Sequence, residues 1–217
     1  MTSDKLYIIQ KAKEGDSKAM RLLYEEYYQY VLNYCHRYLM NYSLSKDLTQ
    51  DIFLLVFDKI KLYKVESDFG AWLNLVCRNF IISYLREQKK NLFSSLDDYT
   101  NYGNVEEEIE EDEYTNYRNN LSVEAIYQLL EQLDEKSRTI FNLYAIDRLT
   151  HKEIAAQLGI SEGTSKSQLS RARVKLKRLL NLEIEKTKGV KKINTQGLRS
   201  LVMILITITI KKLFYEK

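Results

Sequence analysis

The sequence predicts an all-α fold, with two small helical domains joined by a flexible acidic linker and a helix-turn-helix in the second domain. Apolar residues recur at helical spacing through most of the chain. The 217 residues include no proline and only 7 glycines, which favours long uninterrupted helices over a turn-rich β fold. Between about 91 and 120 this periodicity stops and Asn, Asp, Glu, Ser and Tyr accumulate, which is typical of a solvated linker.

Charge is distributed unevenly along the chain. The formal net charge is only +3, yet Glu106–Glu113 holds seven acids and no base, and Lys166–Arg178 holds six bases and no acid. The chain therefore combines an acidic segment with a basic surface. We expect four parts: a first domain over 1–90, the acidic linker over 91–120, a second domain over 121–185, and a basic then apolar tail over 186–217.

The first domain opens with helical patterns and then the interruption NYSLSKD, in which Ser45 can cap the next helix. That helix, DLTQDIFLLVFDKI, has two faces. Its expected core face consists of Leu48, Ile52, Leu55 and Val56. Asp47, Gln50 and Asp51 lie off this face and form a polar, mostly acidic surface, which suits a basic partner protein and repels DNA.

After a second interruption, YKVESDFG, the stretch AWLNLVCRNFIISYLREQKK predicts another two-faced helix. Its apolar stripe consists of Phe69, Leu73, Val76 and Phe80. Its polar stripe consists of Asn79, Ser83, Arg86 and Lys90. Cations and amides beside Trp72 and Tyr84 suit single-stranded nucleic acid, whose backbone attracts cations and whose unstacked bases fit aromatic surfaces or pockets. For the Trp72 ring itself, a place in the core is the favoured interpretation.

The second domain contains the stretch LTHKEIAAQLGISEGTSKSQLSRARVKL. Thr150 and Glu153 form a capping box that predicts the start of a helix. Gly159 permits the left-handed turn that ends this helix, and Ser161 can cap the next one. Two helices joined by a short turn with glycine form the helix-turn-helix arrangement, whose second helix enters the major groove of DNA.

The second helix of this pair carries the basic residues. Its inner stripe consists of Ser165, Leu169, Ala172, Leu176 and Leu179. Its outward face consists of Thr164, Ser167, Arg171 and Arg178, with Lys166 and Gln168 on the flanks. Arg171 and Gln168 can each pair bidentately with a base edge. Phosphate is the expected partner of Lys166, Arg173 and Lys175, and Lys166 also suits a base. The competing interpretation is the solvated basic face of an ordinary bundle helix.

No cofactor, metal or catalytic site is predicted. Cys35 and Cys77 lie in separate apolar patterns that predict buried, reduced thiols, and His36 and His151 are far from any ligand cluster.

The N-terminus lacks an apolar core long enough for a signal peptide, so a cytoplasmic location is expected. The tail segment LVMILITITI is too short to span a bilayer. Packing against protein is favoured for it over membrane-surface attachment or disorder.

Three stretches resemble the sigma factors of bacterial RNA polymerase, of the small extracytoplasmic-function type, and the resemblance covers residues 5 to 182. KDLTQDIFLLVFDKI resembles the family's core-polymerase-binding helix. FGAWLNLVCRNFIISYLR resembles the helix that melts and reads the minus-ten promoter element, and LTHKEIAAQLGISEGTSKSQLSRAR resembles the helix-turn-helix that reads the minus-thirty-five element. Each motif alone is moderately specific, and all three in order are strongly specific.

The resemblance implies a non-enzymatic protein that binds core RNA polymerase and directs promoter-specific transcription initiation. It implies core-polymerase contacts by Asp47, Gln50, Asp51 and Phe53. The expected minus-ten contacts are Asn79, Ser83, Arg86 and Lys90. The expected minus-thirty-five contacts are Thr164, Lys166, Ser167, Gln168, Arg171 and Arg173. Core polymerase and promoter DNA are the expected partners, with room for an anti-sigma factor, and a membrane is not expected.

The chain departs from the family's pattern at three positions. Ser165 stands where an apolar residue is usual, which either loosens the recognition helix or requires a backbone carbonyl to accept from the hydroxyl. Asp134 stands where proline is common, and Arg148 where glycine is common.

Two alternatives stay open. The acidic linker is either a solubilising tether or an occupant of a nucleic-acid channel of the polymerase. A helix-turn-helix regulator that binds duplex DNA as a dimer explains residues 121–182 equally well, but it gives no function to the acidic helix face or the polar stripe.

Overall fold

The computed structural model describes residues 3–64, 68–88 and 123–188. The acidic linker, Lys90 and the apolar tail segment lie outside the described residues. Every regular element within the described ranges is helical, which confirms the predicted all-α class. The chain divides into two compact units, one within residues 1–88 and the other within 89–217. None of the described helices is both long enough and apolar enough to cross a membrane.

The first unit is a small helical bundle. Its described elements are α1 (Ser3–Lys13), α2 (Ser17–Leu39), α3 (Tyr42–Lys59), a 3₁₀ turn (Ile60–Leu62) and α4 (Phe69–Gln88). α2 packs against α1 and α3, and α4 packs on both α2 and α3. The core between them includes Val31, Tyr34, Tyr38, Leu48, Ile52, Val56, Leu73 and Ile81.

Side-chain caps determine where the helices of this unit begin. Asp16 accepts a hydrogen bond from the Ala19 amide at 2.8 Å, at the start of α2. Asn41 accepts from the Leu44 amide at 3.0 Å, at the start of α3. The expectation that Ser45 caps α3 is wrong, because Asn41 is an equally good cap and comes first along the chain. The Ser45 hydroxyl is instead buried in the first turn and donates to the Asn41 carbonyl at 2.6 Å.

Both cysteines are buried and free of disulfide bonds, as predicted. The Thr49 hydroxyl donates to the Cys35 sulfur at 3.9 Å. Burial raises the pKa of the Cys35 thiol to about 12, because the thiolate form would lose its hydration. The Cys35 thiol is therefore protonated and unreactive at neutral pH.

The second unit is built around one long helix. Its described elements are α5 (Val123–Glu131), α6 (Glu135–Phe141), a π-helical turn (Asn142–Ile146), α7 (His151–Leu158) and α8 (Glu162–Lys188). α8 packs against α5, α6 and α7. The core includes Leu130, Leu133, Ile140, Phe141, Leu143, Ile154, Leu158, Leu169, Ala172 and Leu176.

α7 and α8 form the predicted helix-turn-helix. Thr150 and Glu153 make the reciprocal hydrogen bonds of a capping box, so α7 begins directly after Thr150. Gly159 ends α7 with a φ of +70°, in the left-handed region that favours glycine. The Ser161 hydroxyl accepts from the Thr164 amide at 2.9 Å at the start of α8. The local signals for both helix boundaries are therefore confirmed.

Two departures from the family's pattern have local explanations. Asp134 is the N-cap of α6, where its carboxylate accepts from the Ser137 amide at 2.9 Å. Arg148 lies just before α7 with a φ of +59°, which is a left-handed conformation. A residue with a Cβ adopts this conformation only with strain, which explains why glycine is common at this position.

Replacing Arg148 by glycine should stabilise the protein. Arg148→Gly is expected to raise the free energy of unfolding by about 1 kcal/mol, because glycine adopts a positive φ without steric conflict. Arg148→Ala is the matched control, since it removes the same exposed side chain but keeps the Cβ. Thermal unfolding followed by circular dichroism compares the two variants. An equal gain from alanine would assign the effect to the arginine side chain and not to the backbone.

Candidate polymerase and nucleic-acid interfaces

The outward face of α3 is acidic around one exposed apolar side chain. Asp47, Gln50 and Asp51 are exposed, and so is Asp58 two turns further along. The three aspartates form no ion pair with any residue that the structure describes. Leu54 lies among them by helical spacing and is 70% exposed. No sequence motif singled out Leu54, although its spacing of three from Asp51 and four from Gln50 places it on this face.

Phe53 does not belong to this acidic face. It is only 3% exposed, and its ring centroid lies 4.7 Å from that of Tyr24 and 5.9 Å from that of Phe57. Phe53 is about 200° around the helix from Asp51, on the side that packs against α2. The expectation that Phe53 contacts polymerase directly is therefore wrong, because the side chain is buried. Phe53 helps to hold α3 in place, and α3 presents the acidic face.

The polar stripe of α4 is accessible along the described part of the helix. Asn79 and Arg86 are exposed, and Ser83 is half-buried. Leu75, one turn before Asn79, is 44% exposed, although sequence analysis did not single it out. The stripe therefore combines amide, hydroxyl and cationic groups with apolar surface, which is the mixture that suits single-stranded nucleic acid.

Trp72 lies at the N-terminal end of the same stripe, two turns before Asn79. Its ring packs against Tyr63 and Phe69, with centroid distances of 5.4 Å and 5.5 Å. The residue is nevertheless only half-buried. The interpretation of Trp72 as core is thus right for the packed part of the ring, while the remaining part is accessible beside the polar stripe.

α8 presents its basic residues around a buried inner stripe. Leu169, Ala172 and Leu176 are buried in that stripe. Lys166 and Arg178 are exposed, and the half-buried residues are Thr164, Ser167, Arg171 and Arg173. A solvent-facing strip of hydroxyl and cationic side chains remains available for a DNA groove and its phosphates.

Gln168 lies inside the second unit, although sequence analysis placed it on the flank of the recognition face. It is 2% exposed, and its Oε1 accepts a hydrogen bond from the Ser137 hydroxyl at 2.9 Å. The prediction was wrong because Gln168 comes three residues after Ser165 and four before Ala172, both fully buried. Its helical position therefore turns it toward α6, and it cannot read bases from there.

The buried Ser165 hydroxyl forms a hydrogen bond with a side chain. The expected partner of this hydroxyl was a backbone carbonyl, and the expected alternative was a loosened recognition helix. The Ser165 Oγ lies 2.9 Å from Nδ1 of His151, the first residue of α7. The His151 ring stacks on Tyr144, with centroids 4.5 Å apart and planes 23° apart. The Arg173 guanidinium lies over the same tyrosine, 5.6 Å from the ring centroid.

His151 is half-buried in a cationic environment. Burial lowers the pKa of His151 first, and the charges of Lys166 and Arg173 lower it further, whereas Glu162 opposes them. The imidazole is therefore neutral at pH 7 in the unbound protein. His151 does not belong to a metal site: within the described ranges, no three His, Cys, Asp or Glu side chains are grouped so as to hold an ion.

Both units match models of the same protein family. Residues 23–91 match Sigma-70 region 2, and residues 123–176 match Sigma-70, region 4. The first match includes α3 and α4 with their exposed faces. The second includes the helix-turn-helix and the basic part of α8 up to Leu176.

Curated proteins similar to the chain are sigma factors. RNA polymerase sigma factor YlaC of Bacillus subtilis (strain 168) is 28% identical over 72% of this chain and 88% of YlaC. ECF RNA polymerase sigma factor SigW of the same organism is 27% identical over 79% of this chain and 94% of SigW. The ECF RNA polymerase sigma-E factor of Escherichia coli (strain K12) is 28% identical over 76% of this chain and 88% of that protein.

Among solved structures, CnrH in complex with the cytosolic domain of CnrY aligns with a TM-score of 0.44 and 21% identity, over 82% of this chain and 98% of the solved chain. The family assignment depends on the two Sigma-70 regions, matched in order, and on the relatives aligned over most of their length. The chain belongs to the sigma-70 family and is a sigma factor of the extracytoplasmic-function type, which directs promoter-specific transcription initiation.

Proposed function

We propose that this sigma factor contacts polymerase and promoter DNA through three separate helix faces. Two of them belong to a first domain over 1–90, and the third belongs to a second domain over 121–185. The acidic face of α3 binds core RNA polymerase, the polar stripe of α4 holds the melted minus-ten strand, and α8 reads the minus-thirty-five duplex. The observation that carries this proposal is the separation of charge: acids are exposed on α3 and cations on α8.

The acidic face of α3 suits a protein partner better than DNA. Asp47, Asp51 and Asp58 are unpaired among the described residues and would repel phosphates. Leu54 adds an apolar side chain at the centre of this face, where burial on binding gives the largest gain in affinity. Asp47, Gln50 and Asp51 then provide specificity around it, toward a basic surface of the core enzyme.

The stripe on α4 suits a strand whose bases have left the duplex. Asn79 and Ser83 can hydrogen-bond exposed base edges, and Arg86 can neutralise the backbone, with Lys90 continuing the stripe by helical spacing. The accessible part of Trp72 provides an aromatic surface at the other end. A helix that binds unpaired bases favours melting because it stabilises the open strand over the duplex.

The outward side of α8 suits the major groove. Arg171 can pair bidentately with a base, and Thr164 and Ser167 can bind base edges or phosphates. Lys166 and Arg173 lie on one flank and are proposed as phosphate contacts. Gln168 is excluded from this set because it is buried against Ser137.

In this division of contacts the chain supplies recognition and the polymerase supplies the chemistry. No catalytic activity is therefore assigned to the chain itself. Its place of action is that of the polymerase, the cytoplasm.

An anti-sigma factor is a further expected partner, because any protein that covers the face of α3 or α8 prevents initiation. A dimeric regulator is not favoured, since it leaves the faces of α3 and α4 without a partner.

The α3 face is tested by truncating its side chains. Gln50→Ala with Asp51→Ala, and separately Leu54→Ala, should each weaken holoenzyme formation by about 1–2 kcal/mol, roughly five- to thirtyfold, while leaving the fold intact. Lys59→Ala is the matched control, since Lys59 is exposed on the same helix but off this face. Titration of core polymerase against the fluorescently labelled chain measures the affinity. Unchanged binding by both variants would remove α3 from the interface.

The α4 stripe is tested by separating melting from recruitment. Asn79→Ala or Arg86→Ala should reduce the permanganate reactivity of unpaired promoter thymines more than it reduces the initial binding of polymerase. Glu87→Ala, an exposed change on the same helix but off the stripe, should affect neither. Equal losses in the two assays for Asn79→Ala and Arg86→Ala would indicate simple duplex binding.

The α8 assignment is tested by two substitutions with opposite expected results. Arg171→Ala should relax preference at one position of a library randomised across the minus-thirty-five element, at a cost of about 1–3 kcal/mol. Gln168→Ala should leave the selected sequence unchanged but lower the free energy of unfolding by about 1–3 kcal/mol, because the Ser137 hydroxyl loses its buried acceptor. A changed sequence preference in Gln168→Ala would contradict the burial of this residue in the DNA-bound state.

A further inference from the structure

His151 and Ser165 form a polar pair inside the helix-turn-helix that the proposed contacts do not use. Ser165 is fully buried on the inner stripe of α8, and its Oγ lies 2.9 Å from Nδ1 of His151. One face of the His151 imidazole stacks against the Tyr144 ring. These contacts hold the ring in one place and one orientation while leaving the residue half-exposed.

The hydrogen bond also selects one tautomer of the neutral ring. The Ser165 hydroxyl always carries a proton, and it has no other hydrogen-bond partner among the described residues. A buried hydroxyl proton without an acceptor costs about 1–3 kcal/mol. The arrangement that satisfies it has Ser165 donating to Nδ1, which requires the proton of the neutral imidazole to be on Nε2. The Nε2–H group is then the ring's remaining donor.

The ring lies in surroundings arranged for an anion. Among the described residues, the charged groups that shift its pKa belong to α8: Lys166 and Arg173 disfavour its protonation, and Glu162 favours it. From the π-helical turn, the titratable side chain against the ring is Tyr144. Lys166 and Arg173 are also the residues proposed to bind DNA phosphates. A phosphate bound by these two cations would cancel the repulsion that they exert on an imidazolium, and would itself attract one.

We propose that His151 is a further DNA-backbone contact of this sigma factor, in which Nε2 donates to a phosphate and the ring becomes protonated when the duplex binds. This inference rests on the proposed function of α8 as the DNA-reading helix. Ser165 is the positioning residue: its hydroxyl donates to Nδ1 of the neutral ring and accepts from Nδ1–H of the imidazolium. In the imidazolium state the hydroxyl proton must turn away from Nδ1, so the attraction of the phosphate has to exceed the cost of that reorientation. The pair keeps its hydrogen bond when the ring changes charge.

The sign of the pH dependence follows from this coupling. A group whose pKa rises on binding takes up a proton as the complex forms, so the affinity for promoter DNA increases as pH falls. The increase should appear between about pH 8 and pH 5, the range in which a histidine changes charge. Each unit by which DNA raises the His151 pKa corresponds to about a tenfold gain in affinity.

The test compares holoenzymes carrying the wild-type chain, His151→Gln or His36→Gln on a duplex promoter fragment selected by the wild-type holoenzyme. His36→Gln is the matched control, because the chain has only two histidines. Dissociation constants are measured across the pH range at several salt concentrations. The wild type and His36→Gln should gain affinity toward low pH. Their affinity should also depend more steeply on salt concentration at low pH than at high pH, by about one phosphate contact, and His151→Gln should lose both effects.

A second measurement requires no change at His151. Imidazole nitrogen chemical shifts of the ¹⁵N-labelled His36→Gln chain should show the Nε2–H tautomer at neutral pH, and Ser165→Ala should abolish this preference. A free chain with the Nδ1–H tautomer, or equal pH dependence in wild type and His151→Gln, would overturn the inference while leaving the proposed function in place. Failure of the wild-type holoenzyme to select any duplex promoter fragment from a randomised library, at any pH, would overturn the proposed function, and this inference with it.

Discussion

The packing of α8 against α6 and α7 determines what the second unit can recognise. Leu169, Ala172 and Leu176 are buried together with Ser165, so the rotation of the helix about its own axis is set. Once one side of a helix is fixed against a core, the identity of every outward residue is fixed too. Arg171 is thereby placed on the side of α8 that is proposed to enter a groove, and Gln168 is not. The packing of the core therefore decides which residues the proposed recognition surface can contain.

The same constraint explains how far the sequence alone could predict this protein. Helix starts and stops depend on neighbouring residues, and the capping box at Thr150 and the left-handed Gly159 were predicted correctly. The buried stripe of α8 was also predicted, because it follows from periodicity. Gln168 and Phe53 were misplaced because both lie at the edge of a stripe. Whether an edge residue is buried depends on which helix packs beside it, and that information is not local.

Buried polar side chains give this helix-turn-helix a degree of uniqueness that apolar residues would not. Gln168 with Ser137, and Ser165 with His151, each satisfy one another at 2.9 Å. A slight rotation of α8 would leave both pairs unsatisfied in a low-dielectric interior, whereas an apolar stripe tolerates such a shift. Serine at position 165 therefore replaces an apolar contact by a directional one, which specifies a single arrangement of α7 and α8.

The burial of both cysteines has a practical consequence for following this protein at work. Cys35 and Cys77 are the whole thiol content of the chain, both are buried, and the pKa of Cys35 is raised to about 12. Maleimide dyes react with accessible thiolates, so the native chain should resist labelling while folded. A single cysteine introduced on an exposed helix face would then accept a fluorophore selectively, with no need to remove the natural ones and no disturbance of the core that they fill.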